Sequence, residues 1–324
     1  MKYQYVIVQG DNDYFRAITQ QTEKRNDAIV LNGLFNSKSA SVNHFLNKVF
    51  YKINIVSLKR LFVPLMFNKG WQKDKPMGFI FLGWYANEVN NYLGTYLRKK
   101  YKNCKIICRF EDIIDKMPYC NFDDYKDSFD MLFTFDEVDA QKYGIPYYPS
   151  WYDNCDVPED DNIEETDVFF VGKAKDRLPE IVAAYEKLSK AGLKCKFHIV
   201  GVPKEKRIYP EEIEYGEYMP YIKVLQHVKK TKCMLEILQK DAGSETLRVF
   251  EAINYNKKLI TTNKNMLTRE YYNPQNILYY EEIEDLDPAF VKNGQGAFYD
   301  DKFREMFKPY NMLRFVDNYL STME

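Results

Sequence analysis

The chain has 324 residues, enough for two domains of ordinary size, and its 45% hydrophobic and 16% aromatic residues can fill packed cores. With 46 Lys and Arg against 47 Asp and Glu, nothing in the overall charge points to a nucleic-acid partner. The apolar run 61–67 is far too short to span a bilayer, six scattered cysteines without a CxxC spacing suit reduced thiols in a cytosolic protein, and three unpaired histidines argue against zinc.

In chain order, 3–9 reads as a buried strand ending at Gly10, with no signal peptide before it. A second apolar run, 28–31, closes at the turn signal Asn32-Gly33. Residues 41–68 mix apolar, aromatic and basic side chains, and helix is expected there in two pieces split before Pro64. A strand over 77–84 follows, then a helix over 87–102 with Val89, Tyr92, Leu93, Tyr96 and Leu97 on one face. The strand 105–110 leads into Glu111-Asp112. After a strand over 131–135, Asp136 is placed to cap a helix that Gly144 closes.

The acidic stretch 154–165 reads as a linker, dividing the chain into domains 1–155 and 156–324. Beyond it the pattern restarts with a strand over 167–171, a basic turn over 172–177 and a helix over 178–190. Strands over 195–200, 213–216 and 232–238 follow, with a helix over 221–229. The stretch DAGSETLRVFEAINYNKKLITTN, 241–263, adds a small-residue turn, a helix and a buried strand. A strand over 276–280 closes the sheet, and 303–320 is an amphipathic helix open to interruption at Pro309. The fold class that follows is α/β, two Rossmann-like domains with parallel sheets facing a cleft. Ligands are then expected beyond the carboxyl ends of the strands.

In the second half, Gly172 lets the backbone approach a ligand, and Lys173 and Arg177 flank a helix start, which suits a diphosphate. Glu245, Arg248 and Glu251 recur every third residue and share one helix face, beside a turn holding Gly243 and Ser244. Tyr218 lies in a tyrosine-rich turn suited to stacking a nucleobase. Each has a plainer alternative: a solvated basic turn, a surface helix with solvated charges, a packing turn. In the first half, strand ends offer Gly10, Asp11, Asn32, Trp84 and Arg109 as acceptor-side candidates. Glu111 or Asp112 is a candidate base for an acceptor hydroxyl, with a helix cap as the alternative for Asp112. The basic stretch 45–75 suits either an anionic membrane surface or a core helix with snorkelling lysines.

ETLRVFEAINYNKKLITTN resembles the C-terminal signature of GT-B glycosyltransferases of the group-1 and spore-maturation-protein-like set. DVFFVGKAKDR resembles the first strand and phosphate-facing turn of the same domain. FTFDEVDAQKYGIPYYPSWY resembles the end of the N-terminal domain in bacterial polysaccharide-assembly members. The resemblance implies a metal-independent glycosyltransferase of hexosyltransferase type. It would use a nucleotide-diphosphate sugar as donor, no obligatory cofactor, and a glycan or lipid-linked glycan as acceptor in cell-surface polysaccharide or lipopolysaccharide synthesis. It also implies a cytoplasmic or peripheral inner-membrane location and a C-terminal helix that crosses back to the first domain.

Carried onto this sequence, the resemblance makes Glu251 the second acid of E-x7-E, which contacts the donor ribose, and sets Arg248, Lys173 and Arg177 near the diphosphate. The donor-side candidates are Gly172, Lys173, Arg177, Tyr218, Ser244, Glu245, Thr246, Arg248 and Glu251. The first acid of the motif is missing or shifted, because Gly243 stands where it belongs and the nearest acid is Glu245. That departure favours a non-catalytic GT-B-like partner subunit of another transferase as one alternative, and a sugar-nucleotide epimerase on the same architecture is the other. Asp11-Asn12-Asp13 resembles a metal-binding DxD, yet it follows the first strand, too early for the usual DxD glycosyltransferase fold, and no metal site is assigned.

Overall fold

Each half of the chain is built on its own parallel sheet. The computed structural model describes residues 1–324 apart from 36–38, 54, 68–70, 72–74, 118–121, 241–242, 294–295, 324 and the side chains of 40 and 44. Expectations that fall on Lys69, Lys73, Asp74, Cys120, Asp241 and the His44 side chain lie outside the described residues. Contacts divide the chain into one unit of Met1–Cys155 with Lys308–Glu324, and a second unit of Asp156–Phe307.

The first sheet contains β1 (Gln4–Gln9), β2 (Ile29–Asn32), β3 (Met77–Leu82), β4 (Lys105–Phe110) and β5 (Met131–Thr134), in the order β2-β1-β3-β4-β5. All its pairings are parallel. Strands covered on both faces need continuous apolar runs, and all of β3 is buried. The first helix, Asp13–Lys24, escapes the hydrophobic pattern because polar residues share its inner face. Thr19 and Thr22 are buried beside Phe15 and Ile18, and the Thr19 hydroxyl is satisfied by Phe15 O at 2.7 Å. The Asn12 side chain caps this helix, accepting from Phe15 N at 2.8 Å.

The basic stretch departs from the expected break before Pro64. The helix Ala40–Lys52 ends at Ile53, whose ψ of 118° is extended, and short turns Val56–Lys59, Arg60–Phe62 and Val63–Met66 follow. Pro64 sits in the first turn of the last of these, where a missing N–H costs no hydrogen bond. The helix expected over 87–102 is observed from Ala86 to Lys100, with a π-turn at Val89–Leu93.

The second sheet contains β6 (Thr166–Lys173), β7 (Cys195–Val200), β8 (Glu214–Gly216), β9 (Thr231–Glu236), β10 (Lys258–Thr261) and β11 (Ile277–Tyr279). Its order is β11-β10-β9-β6-β7-β8, again wholly parallel. Helices Leu178–Lys190, Tyr221–Lys230 and Leu247–Tyr255 bury apolar stripes. The acidic stretch read as a linker is in part tied to this unit. Asp160 accepts from Lys223 at 2.7 Å and Glu159 pairs with Lys229 at 3.0 Å, because the helix Tyr221–Lys230 offers a basic face.

The last helix, Pro309–Thr322, belongs to the first unit. Phe315 packs on Phe133 and Tyr148, with ring centroids 6.0 and 4.9 Å away. The Asp317 carboxylate accepts from Lys2 N at 3.0 Å, Tyr3 N at 3.3 Å and the Tyr5 hydroxyl at 3.0 Å. Asp317→Ala removes a shared acceptor for three donors and is expected to cost about 1–3 kcal/mol. Denaturant unfolding of the full chain checks this, and an unchanged midpoint would show that the carboxylate does not secure the helix.

Candidate functional site

The carboxyl edge of the second sheet is where its polar side chains converge. Strand β9 ends in Glu236, which is 2% exposed. Its carboxylate accepts from Thr246 N at 3.2 Å, from the Thr246 hydroxyl at 2.5 Å and from the Thr261 hydroxyl at the end of β10. Burial raises the Glu236 pKa, and the bonds from Thr246 and Thr261 oppose that rise. Thr246 is extended, with φ −89° and ψ 172°, and caps the helix Leu247–Tyr255 by accepting from Arg248 N at 3.2 Å. One buried carboxylate therefore joins two strand ends to a helix N-terminus. The preceding turn is held from the other side, with Asn263 Nδ2 donating to Ser244 O at 3.5 Å and Asn265 Nδ2 to Gly243 O at 3.0 Å.

The loop after β6 reaches the same place. The Arg177 guanidinium donates to Ile237 O, just beyond β9, and to Lys173 O at 3.0 Å. Lys175 Nζ donates to Gln239 Oε1 at 2.8 Å. Burial lowers the Arg177 pKa; Asp176 and Glu236 oppose this, and the neighbouring Arg248 cation adds to it. Arg177 Nε is buried without a hydrogen-bond partner among the described residues. A Cβ on Gly172 would lie 3.5 Å from Arg177 Nη2, an ordinary contact, so bulk alone does not require glycine there. Lys173 is exposed.

The two acids of the helix motif differ sharply. Glu251 is fully buried; the Tyr221 hydroxyl donates to Oε1 at 2.9 Å and Arg248 pairs with Oε2. Burial raises its pKa, and Arg248 and Tyr221 pull it back. Glu245 does not share that helix face as expected, because the Thr246 cap starts the helix at Leu247 and leaves Glu245 outside it. It is held instead by Arg269 at 2.7 Å and by the Tyr271 hydroxyl at 2.9 Å. Tyr218 follows the edge strand β8 and is 64% exposed.

In the first unit, the strand-end candidates fall into separate groups. A Cβ on Gly10 would lie 2.9 Å from Trp84 Cζ2, so the end of β1 accommodates the indole only with glycine there. Asn32 accepts from Gln9 Nε2 at 2.8 Å. Asp11 pairs with Arg16, Asn12 caps the helix and Asp13 accepts from Tyr14 N at 3.0 Å, so the DxD-like side chains serve the helix start. Arg109 is fully buried, pairs with Glu111 and lies 4.7 Å from the centre of a Trp151 ring. Burial raises the Glu111 pKa and Arg109 counters it. Asp112 is exposed and accepts from Ile113 N at 3.0 Å. Among the described residues, no group of three or more His, Cys, Asp or Glu is arranged to hold a metal ion.

Glu236 and Asn263 were not singled out from the sequence, and Tyr221 only as the end of the tyrosine-rich turn 215–221, not as a partner of Glu251. Glu236 had a readable signal, as the lone acid closing an apolar strand beside the expected ligand edge. Nothing local tied Tyr221 to Glu251 or Asn263 to Ser244, since these partners lie far apart in the chain.

No protein-family model matches the chain, and no curated protein sequence does. Solved structures do. An alpha-glucosyltransferase in complex with UDP and a 13-mer DNA containing a HMU base is similar with a TM-score of 0.52 at 10% identity, over 96% of this chain and 93% of that one. An alpha-glucosyltransferase in complex with UDP-glucose and DNA containing an abasic site gives 0.51 at 11% identity, over 99% of both chains. A UDP-GlcNAc 2-epimerase from Methanocaldococcus jannaschii gives 0.48 at 14% identity, over 98% of this chain and 100% of that one. At these identities the likeness is one of fold, and the fold is two Rossmann-like domains of the GT-B kind.

Glu236→Ala leaves Thr246 N and the Thr261 hydroxyl without their acceptor in a dry site. A loss of about 2–4 kcal/mol in unfolding free energy is expected, against about 1 kcal/mol for the cap variant Thr246→Ala. Equal, small losses for the two variants would contradict the central place of Glu236.

Proposed function

We propose that the chain is a glycosyltransferase that moves a sugar from a nucleotide-diphosphate donor to a hydroxyl of a glycan or lipid-linked glycan in cell-surface polysaccharide synthesis. The observation that carries this reading is that Arg177 is bonded to carbonyls at the ends of β6 and β9, where Glu236 also holds the Thr246 cap of the helix bearing Arg248. Two neighbouring cations disfavour one another, and a diphosphate between them reverses the sign of that interaction. Helix N–H groups add to the attraction.

In this reading the donor occupies the second unit, and the sugar–phosphate bond breaks with charge accumulating on the departing diphosphate. Arg177, Arg248 and exposed Lys173 stabilise that charge, with no obligatory metal in the scheme. Glu251 begins by holding Arg248. A ribose hydroxyl takes over one carboxylate oxygen as Arg248 turns to the phosphates, while Tyr221 keeps the other in place. Ser244 and Thr246 present the helix start, Gly172 lines the approach and Tyr218 offers a ring to the base. Glu245, tied to Arg269 and Tyr271, shapes the turn. On the acceptor side, Glu111, whose pKa is raised by burial and countered by Arg109, is the first candidate base, and exposed Asp112 is the second. Gly10, Asp11, Asn32, Trp84 and Arg109 frame the acceptor.

The test is a thermal-shift and hydrolysis panel of UDP-, GDP-, ADP- and CMP-sugars, beginning with UDP-glucose, the ligand named for one similar structure. A matching nucleotide diphosphate at 100 times its Kd is expected to add about 2.7 kcal/mol of stability. Arg177→Ala and Arg248→Ala should each weaken binding about tenfold or more, and Glu251→Ala should abolish the shift. Failure of every nucleotide to shift the melting temperature would sink the transferase reading. Turnover without a transfer product would favour an epimerase, and binding without turnover a non-catalytic partner subunit.

A further inference from the structure

The segment 40–66 carries cations and large apolar residues but no acidic residue. Among the described residues, eight of the sixteen exposed large hydrophobics lie between 42 and 65. Leu61 is 72% exposed, Phe45 63% and Ile55 57%, with Leu58 and Leu65 also exposed. These are not spare core residues, because the inner face is filled by Phe50, Val63, Met66 and Phe67. Phe50 packs edge-on against Phe62 and Tyr92, at centroid distances of 6.1 and 6.5 Å, which fastens the segment to the unit. Lys59 is turned inward, 4.6 Å from the Phe50 ring and 3.6 Å from Glu88. Lys48, Lys52 and Arg60 remain exposed among the apolar side chains.

A pocket of about 300 Å³ is lined by Arg60, Val63, Asn91, Tyr92, Tyr96 and Lys99. Arg60 Nη2 donates to Asn91 O at 3.1 Å, which positions the guanidinium and leaves its other N–H groups for a ligand. Two cations beside a mainly apolar pocket suit a ligand with an anionic phosphodiester and an apolar tail.

We infer that this surface docks the first unit onto an anionic bilayer, with a lipid phosphodiester in the Arg60–Lys99 cavity and Phe45, Leu58, Leu61 and Leu65 at the acyl-chain boundary. Apolar side chains ringed by cations, without acids, match an interface of anionic headgroups over hydrocarbon. A second copy of the chain is a poorer occupant, because a twofold contact would set the same cations against each other. Among the described residues no helix is long and apolar enough to cross a membrane, so attachment is at the surface.

The test is flotation of the full chain with phosphatidylcholine vesicles and with vesicles that also contain phosphatidylglycerol. Binding is expected only to the anionic vesicles, weakening with salt. Leu61→Asp and the double variant Arg60→Glu/Lys99→Glu should each lower vesicle affinity about tenfold or more. All three positions are exposed, so unfolding midpoints should stay near that of the parent chain. No binding to anionic vesicles, or undiminished binding by either variant, overturns the proposal. So does a stable dimer that Leu61→Asp converts to monomer, or saturation by soluble glycerophosphoglycerol without any binding to vesicles. Nucleotide binding is read separately, so failure here leaves the donor reading standing, and the reverse holds.

Discussion

The buried carboxylate of Glu236 sets the geometry of the second unit's polar edge. Removing such a group from water costs several kcal/mol, and that cost is offset only where donors are fixed around it. Here the donors are Thr246 N and two threonine hydroxyls from separate elements. Because Thr246 is also the helix cap, the same bonds decide where the helix begins and hence where Arg248 leaves it. A shift of the cap by one residue would rotate Arg248 by about 100° around the helix axis.

The cations follow from that placement. Arg177 is committed to carbonyls at the ends of β6 and β9, and Arg248 to Glu251, which is itself fixed by Tyr221. Charge held in place, as that of Arg177 is, acts on a developing anion with little reorganisation, whereas Arg248 in the proposed scheme first exchanges Glu251 for the phosphates. A comparable pairing recurs in the first unit, where partly buried Glu111 pairs with fully buried Arg109 and the guanidinium lies against Trp151.

The fold was largely legible in the sequence because parallel strands buried on both faces leave continuous apolar runs. MGFIFL and MLFT are such runs, buried at every residue, and Gly144, with φ 63°, stops its helix where the spacing said it would. The helix Asp13–Lys24 was not legible, because buried threonines disguise its inner face. The site was legible in composition but not in partnership. Glu245, Arg248 and Glu251 have helical spacing, yet a cap at Thr246 overrides spacing, and Arg269 and Tyr271 claim Glu245 from more than twenty residues away. Only the fold brings such partners together, and local pattern carries no trace of them.

The central claim is that the carboxyl edge of the second sheet binds a nucleoside diphosphate. The most direct measurement is amide hydrogen exchange of the full chain with and without UDP, GDP and ADP in turn. The account predicts that one of them slows exchange in two separate peptides, one spanning 172–178 and one spanning 244–250, while the first unit's strand ends are unchanged. Protection confined to the first unit, or none with any nucleotide, would contradict it.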